Sequence, residues 1–131
     1  MRILALDYGA ARTGVAISDP TGTVARPVGI VERAASPDGL SRIAELVREL
    51  EAERVVVGLP LTLRGERGSQ AVETGRFVEA LRAELAVPVD VFDERFTTVL
   101  AARDPAGAPE DARAAAHLLT GYLSWFEGRV G

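Results

Sequence analysis

The chain has 131 residues, 47% hydrophobic, 26% charged and 5% aromatic, the make-up of a globular domain that can bury an aliphatic core without staples. With no cysteine and one histidine, a structural disulfide, a CxxC redox site and a thiolate zinc site are excluded, and metal chemistry would fall to carboxylates and hard cations such as Mg²⁺ or Mn²⁺. The net charge of −4 counsels against nonspecific nucleic-acid binding, yet acids that hold divalent cations no longer repel phosphates, and all 15 basic residues are arginine, a planar donor suited to phosphate oxygens.

The first element is the run Ile3-Leu4-Ala5-Leu6, apolar at successive positions, which predicts a strand over 2–8 covered on both faces. Asp7 closes it. An acid at the end of a buried strand is placed for chemistry or makes an Asx turn into the next segment. A second strand is expected over Thr13 to Ser18, and the short link "GAAR" requires an antiparallel hairpin. A third is expected around Val24 to Val31 after the turn "DPTG".

Ser36-Pro37 is a helix start, with serine as N-cap and proline at the first helical position. Leu40, Ile43, Val47 and Leu50 come next at helical spacing, an amphipathic cover for a sheet. "RVVVGLP" over 54–60 is a buried strand that Gly58 and Pro60 are expected to stop. After the loop "LTLRGERG" a helix is expected from about Ser69 to Leu85, with Val78, Leu81 and Leu85 on one face. "VPVDVFDER" over 87–95 is the fifth strand. Past the loop "DPAGAPE", a last helix is expected from near Pro109 to about Glu127, with Ala115, Leu118, Tyr122 and Phe126 as its buried stripe. Strands alternating with helices imply parallel βαβ units, so the expected architecture is a mixed sheet begun by a hairpin and covered by helices.

In a parallel sheet the functional edge lies at the carboxyl ends of the strands. Asp7 ends the first strand and Glu94 the fifth. Asp111 opens the last helix and precedes Ala115, Leu118 and Tyr122 by four, seven and eleven positions, which puts it on the core-facing line. Three clustered carboxylates need cations between them. Two divalent ions about 3.5–4 Å apart would suit phosphodiester hydrolysis. Taken singly, each acid has a plainer role: a turn for Asp7, a solvated strand end for Glu94, a partner of the helix dipole for Asp111. The loop "RGERGS" offers glycines and arginines before a helix N-terminus, where a phosphate is favoured, but it lacks the Gly-Lys-Ser/Thr of a nucleotide P-loop. His117 reads as a packed or half-exposed helix residue, and Trp125 and Phe126 as core or oligomer contacts.

Four ordered blocks, "ALDYGAARTGVAISD", "VVVGLPLTLRGERGSQA", "VDVFDERFTTVLA" and "DARAAAHLLTGYL", resemble the YqgF/RuvX family of ribonuclease H-like proteins, described as Holliday junction resolvases and as nucleases that mature the small-subunit ribosomal RNA precursor. The first block matches the pattern Asp-x-Gly-x-x-Arg-x-Gly-Val-Ala at Asp7, Gly9, Arg12, Gly14, Val15 and Ala16. The resemblance implies a five-stranded ribonuclease H-like α/β sheet with strand two antiparallel and helices on both faces. It further implies an acidic triad of Asp7, Glu94 and Asp111 holding Mg²⁺ or Mn²⁺, two ions in all. Arg12, Arg64, Arg67 and Arg95 would then line the groove for nucleic acid, contacting phosphates and not reading bases. Branched DNA or precursor ribosomal RNA recognised by shape fits that inventory. Paired cuts at a junction favour a homodimer. Between Glu94 and Asp111 the chain is shorter than the family pattern, and its segment "LAARDPAGAPE" offers only Arg103.

No apolar run approaches the length of a membrane span and the start has no long apolar signal region, so one domain over residues 1–131, cytoplasmic and without membrane contact, is expected. Two competing classes remain. One is a phosphotransferase of the actin-like fold, which also uses an Asp-x-Gly hairpin but closes two lobes on ATP. The other is a noncatalytic nucleic-acid or ribosome-associated module of the same fold, distinguished by whether the three acids bind metal.

Overall fold

The apolar run that opens the chain is β1, Ile3–Asp7, with its first four residues buried. β2, Arg12–Ser18, returns antiparallel beside it, and β3, Ala25–Glu32, pairs antiparallel with β2. The turn between β2 and β3 is built by Asp19. Its carboxylate accepts the backbone N–H groups of Thr23 and Val24 at 2.8 and 2.9 Å and the Thr21 hydroxyl, and these bonds, the Thr21 hydroxyl first, hold it well below the usual carboxylate range.

The structure, a computed structural model, describes residues 1–59, 69–93 and 110–130, apart from the side chains of 59, 69, 70, 93, 110, 111 and 125–130. α1, Pro37–Glu49, starts where the Ser36-Pro37 pair places it. The Ser36 hydroxyl accepts the Gly39 N–H at 3.1 Å. The helix closes in a Schellman turn, with the N–H groups of Glu51 and Ala52 donating to the carbonyls of Arg48 and Val47 and Glu51 at a φ of 54°. Gly39, Ile43, Leu46 and Val47 are its buried positions, while Leu40 and Leu50 are only half-buried.

β4, Arg54–Leu59, runs parallel to β1, and β5, Val89–Asp93, parallel to β4. Two expectations need correction. Gly58 does not stop β4: it lies within the strand, opposite Phe92. β5 begins at Val89 and not at Val87, because Pro88 has no N–H to give a ladder. The full order is β3-β2-β1-β4-β5. α2, Ser69–Glu84, links β4 to β5, and α3, Glu110–Val130, comes after β5.

Strand alternation divides the core. Leu4, Leu6, Val15, Ile17, Val55 and Val57 face α1 and α2 together with Ile43, Phe77, Val78 and Leu81. Ile3, Ala5, Ala16, Val56 and Phe92 form the other cluster with Ala115, Leu118, Leu119 and Tyr122 of α3. Helices thus cover both faces, as expected. Among the described residues no helix is long and apolar enough to cross a membrane.

Tyr122 pins α3 to the amino ends of the parallel strands. Its hydroxyl donates to Asp90 Oδ2 at 2.7 Å, and Arg54 Nη1 reaches the same oxygen at 2.5 Å. Its ring meets Phe92 edge-on, 5.6 Å between centroids. Burial first, then the bond to Asp90, raises the Tyr122 pKa far above that of a free phenol, so the hydroxyl stays a donor. Tyr122→Phe keeps the ring packing and removes one bond to a charged acceptor. The expected loss is about 1.5 kcal/mol, a fall of roughly 5 °C in melting temperature for a chain of this size. Calorimetric unfolding checks it.

Candidate active site

β1, β4 and β5 are neighbours and parallel, so their last residues, Asp7, Leu59 and Asp93, stand along one edge of the sheet. β3 also points its end to this edge, because Glu32 pairs with Arg12 at the start of β2. α1 and α2, which come after β3 and β4, therefore begin there. Tyr122 sits at the amino edge, and α3 extends about 16 Å from it back to Asp111 at a 1.5 Å rise per residue.

Asp7 is half-buried and shares the sheet face of Ile3 and Ala5, the face that α3 covers. Its cross-strand partner is Gly14. On the other side Val57 pairs with Leu6, so Gly58 is the next β4 position beside Asp7. Both flanking strands place glycine next to the acid. A carboxylate between two residues without side chains has room for a cation or a phosphate oxygen. Sequence reading takes these glycines as motif letters or strand breakers, and the pairing register supplies their meaning.

The hairpin after Asp7 is held by Thr13, which is fully buried. Its hydroxyl accepts the Gly9 N–H and donates to the Gly9 carbonyl, each at 3.4 Å. The Gly9 N–H is the donor that an Asx turn from Asp7 would use. Thr13 takes it, so that turn does not explain the acid. Gly9 is itself required: a Cβ there would lie 2.4 Å from the Arg12 carbonyl oxygen.

Arg12 is exposed at the start of β2 and alternates with Gly14 and Ala16 onto the face of Asp7. The structure brings Asp7 and Arg12 to one face and one edge. Asp111 is the second residue of α3. Glu94, Arg64, Arg67 and Arg95 lie outside the described residues, as does Arg103. Among the described residues no three metal-ligating side chains cluster.

A mixed five-stranded sheet of order 3-2-1-4-5 with an acid ending its central strand defines a ribonuclease H-like fold. It superposes on RuvC of Thermus thermophilus, solved in complex with a Holliday junction substrate, with a TM-score of 0.68 and 18% identity over 100% of this chain and 96% of that one. The sequence profile of RuvX, described as Holliday junction resolvase, matches residues 1–125, and the chain belongs to that family. Proteins named for a pre-16S rRNA nuclease activity are related along its length. One from Nocardia farcinica is 53% identical over 110 residues, 78% of this chain and 61% of the relative, so the match spans about three fifths of that protein. Another, from Syntrophomonas wolfei, is 39% identical over 132 residues, 94% of each.

Proposed function

We propose that this chain is a divalent-metal-dependent nuclease that hydrolyses phosphodiester bonds in structured nucleic acid, either a four-way DNA junction or precursor 16S ribosomal RNA. The observation that carries the reading is Asp7: an acid at the carboxyl edge of the central strand, flanked by Gly14 and Gly58, in a chain whose family is described as a Holliday junction resolvase. Its oxygen chemistry fits a hard cation.

Asp7, Glu94 and Asp111 are the residues that would hold Mg²⁺ or Mn²⁺, as a pair of ions. Bound there, divalent ions supply Lewis acidity to the attacking water and the leaving oxygen. The protein's part is placement. Thr13 and Gly9 set the turn that aims Asp7, and α3 packs over the same face through alanines such as Ala112, Ala115 and Ala116, all buried, whose small side chains let its backbone approach the sheet. Arg12, Arg64, Arg67 and Arg95 bind phosphates and fix the register of the strand. Cutting a junction in pairs requires two such sites, so a homodimer belongs to the resolvase form of the reading.

The test is cleavage of end-labelled four-way junctions and of structured precursor RNA in parallel, in Mg²⁺ and in Mn²⁺, with the Asp7→Asn protein as control. Symmetric junction cuts that need Asp7 establish a resolvase. RNA cuts alone assign ribosomal RNA processing. Absence of any Asp7-dependent cut overturns the nuclease in favour of a noncatalytic module. A second measurement addresses the arginines: changing Arg64 and Arg67 together to alanine is expected to weaken binding and flatten the slope of log K against log salt by about two, because each phosphate without its guanidinium partner keeps about one condensed counterion. An unchanged slope moves the groove elsewhere.

A further inference from the structure

On the far side of β1 from Asp7 lies a cavity whose lining includes none of the three acids. Tyr8 is next to Asp7 in the chain and alternates to the face of α1 and α2, where it packs on the core. Its ring stacks on Phe77, 4.4 Å between centroids and 23° between planes. Tyr8, Ala35, Glu73, Arg76, Phe77 and Ala80 line a cavity of about 350 Å³, within the range of small-ligand sites. Phe77 is buried at 2% exposure and Tyr8 is half-buried, while Glu73 and Arg76 are exposed at the mouth.

The lining selects its occupant. Aromatic and methyl surface beside one carboxylate acceptor and one guanidinium donor suits a flat heterocycle with a hydrogen-bonding edge. A lone phosphate would gain nothing from Tyr8 and Phe77 and would be repelled by Glu73. An aliphatic side chain would leave both charges unused.

We propose that this cavity receives one unpaired nucleobase from the strand whose phosphate lies at Asp7, an inference that rests on the nucleic-acid reading of that site. Consecutive Cα atoms are about 3.8 Å apart, so Asp7 and Tyr8 present their side chains on opposite sides of one strand end. A phosphate can lie on one side while a neighbouring base turns to the other. Tyr8 supplies a stacking surface, Glu73 accepts from an exocyclic amine, and Arg76 donates to a ring acceptor or a flanking phosphate.

The experiment measures binding in Ca²⁺ with Asp7→Asn protein. The ligand is whichever binds tighter of a four-way DNA junction and a structured RNA hairpin, carrying a single abasic residue scanned through the positions around the branch or loop. One position is expected to cost about tenfold in affinity, the loss of one stacked base. Tyr8→Leu, which empties the stack, and Ala80→Phe, which fills the cavity without touching the β1 core, should each weaken the intact ligand by about the same factor and abolish the abasic penalty. Tyr8→Phe should keep both. A flat scan, or a penalty that survives both Tyr8→Leu and Ala80→Phe, overturns the pocket. Cleavage by the parent protein is scored on the same ligands. Asp7-dependent cuts with a flat scan remove the pocket and leave the nuclease, abasic sensitivity without cuts does the reverse, and failure to bind either ligand removes both.

Discussion

Asp7→Asn is expected to lower the cleavage rate by roughly 10³–10⁴-fold, the scale seen when one member of a catalytic set that acts as a unit is removed, while the melting temperature stays close to that of the parent. The side chains are nearly isosteric, and Asp7 lies at the half-buried end of β1 outside the two apolar clusters, where substitutions typically cost under about 0.5 kcal/mol. The sign of the binding change separates a metal-holding acid from a merely structural one. In EDTA the carboxylate repels the phosphate backbone, so the asparagine protein should bind nucleic acid more tightly than the parent. In Mg²⁺ the difference should shrink or reverse, because the parent then gains cations between its acids and the phosphate. Filter binding with and without chelator, beside the cleavage assay, reads both. Turnover retained in the variant would remove Asp7 from the mechanism.

Gly9→Ala is the second large effect and acts through geometry. The new methyl would stand 2.4 Å from the Arg12 carbonyl oxygen, a backbone atom that can move only if the hairpin opens. The strain is expected to cost about 1–3 kcal/mol, or roughly 3–10 °C in melting temperature. Activity should fall further than stability does, by about 10²-fold at temperatures where the variant is fully folded. The same hairpin carries Asp7 on one strand and Arg12 on the other, and a displacement near 1 Å at a reacting group costs that much. Thermal unfolding and single-turnover cleavage at a temperature well below the transition separate the two losses. A parent-like melting temperature would show that the hairpin yields to the methyl group.

These two residues illustrate what is local in the chain and what is not. The hairpin arises from four linking residues between two apolar runs, which leave no room for a crossover. α1 begins at Pro37 because Ser36 and Pro37 satisfy a helix start chemically. Strand ends are harder to read: apolar pattern extends β5 over 87–95 while pairing starts at Val89, and Gly58 reads as a stop while it pairs inside β4. Glycine weakens a strand on average. Here it is held by neighbours on both sides.

The acid at the edge is visible as an interruption, a charge where a buried run ends, and the four motif blocks carry the family. Those signals lie within single segments, so periodicity and spacing are enough to find them. The surroundings of Asp7 depend on register. Gly14 faces it because β2 pairs with a defined offset, and Gly58 stands beside it because β4 comes 51 residues later in the chain yet lies adjacent in the sheet. The Tyr8 cavity needs β1, α2 and the loop before α1 together, and Tyr122 finds Asp90 across 32 residues. Local propensity is written in neighbouring side chains, whereas contacts between distant segments arise only when the sheet's order and register bring them within a few ångströms.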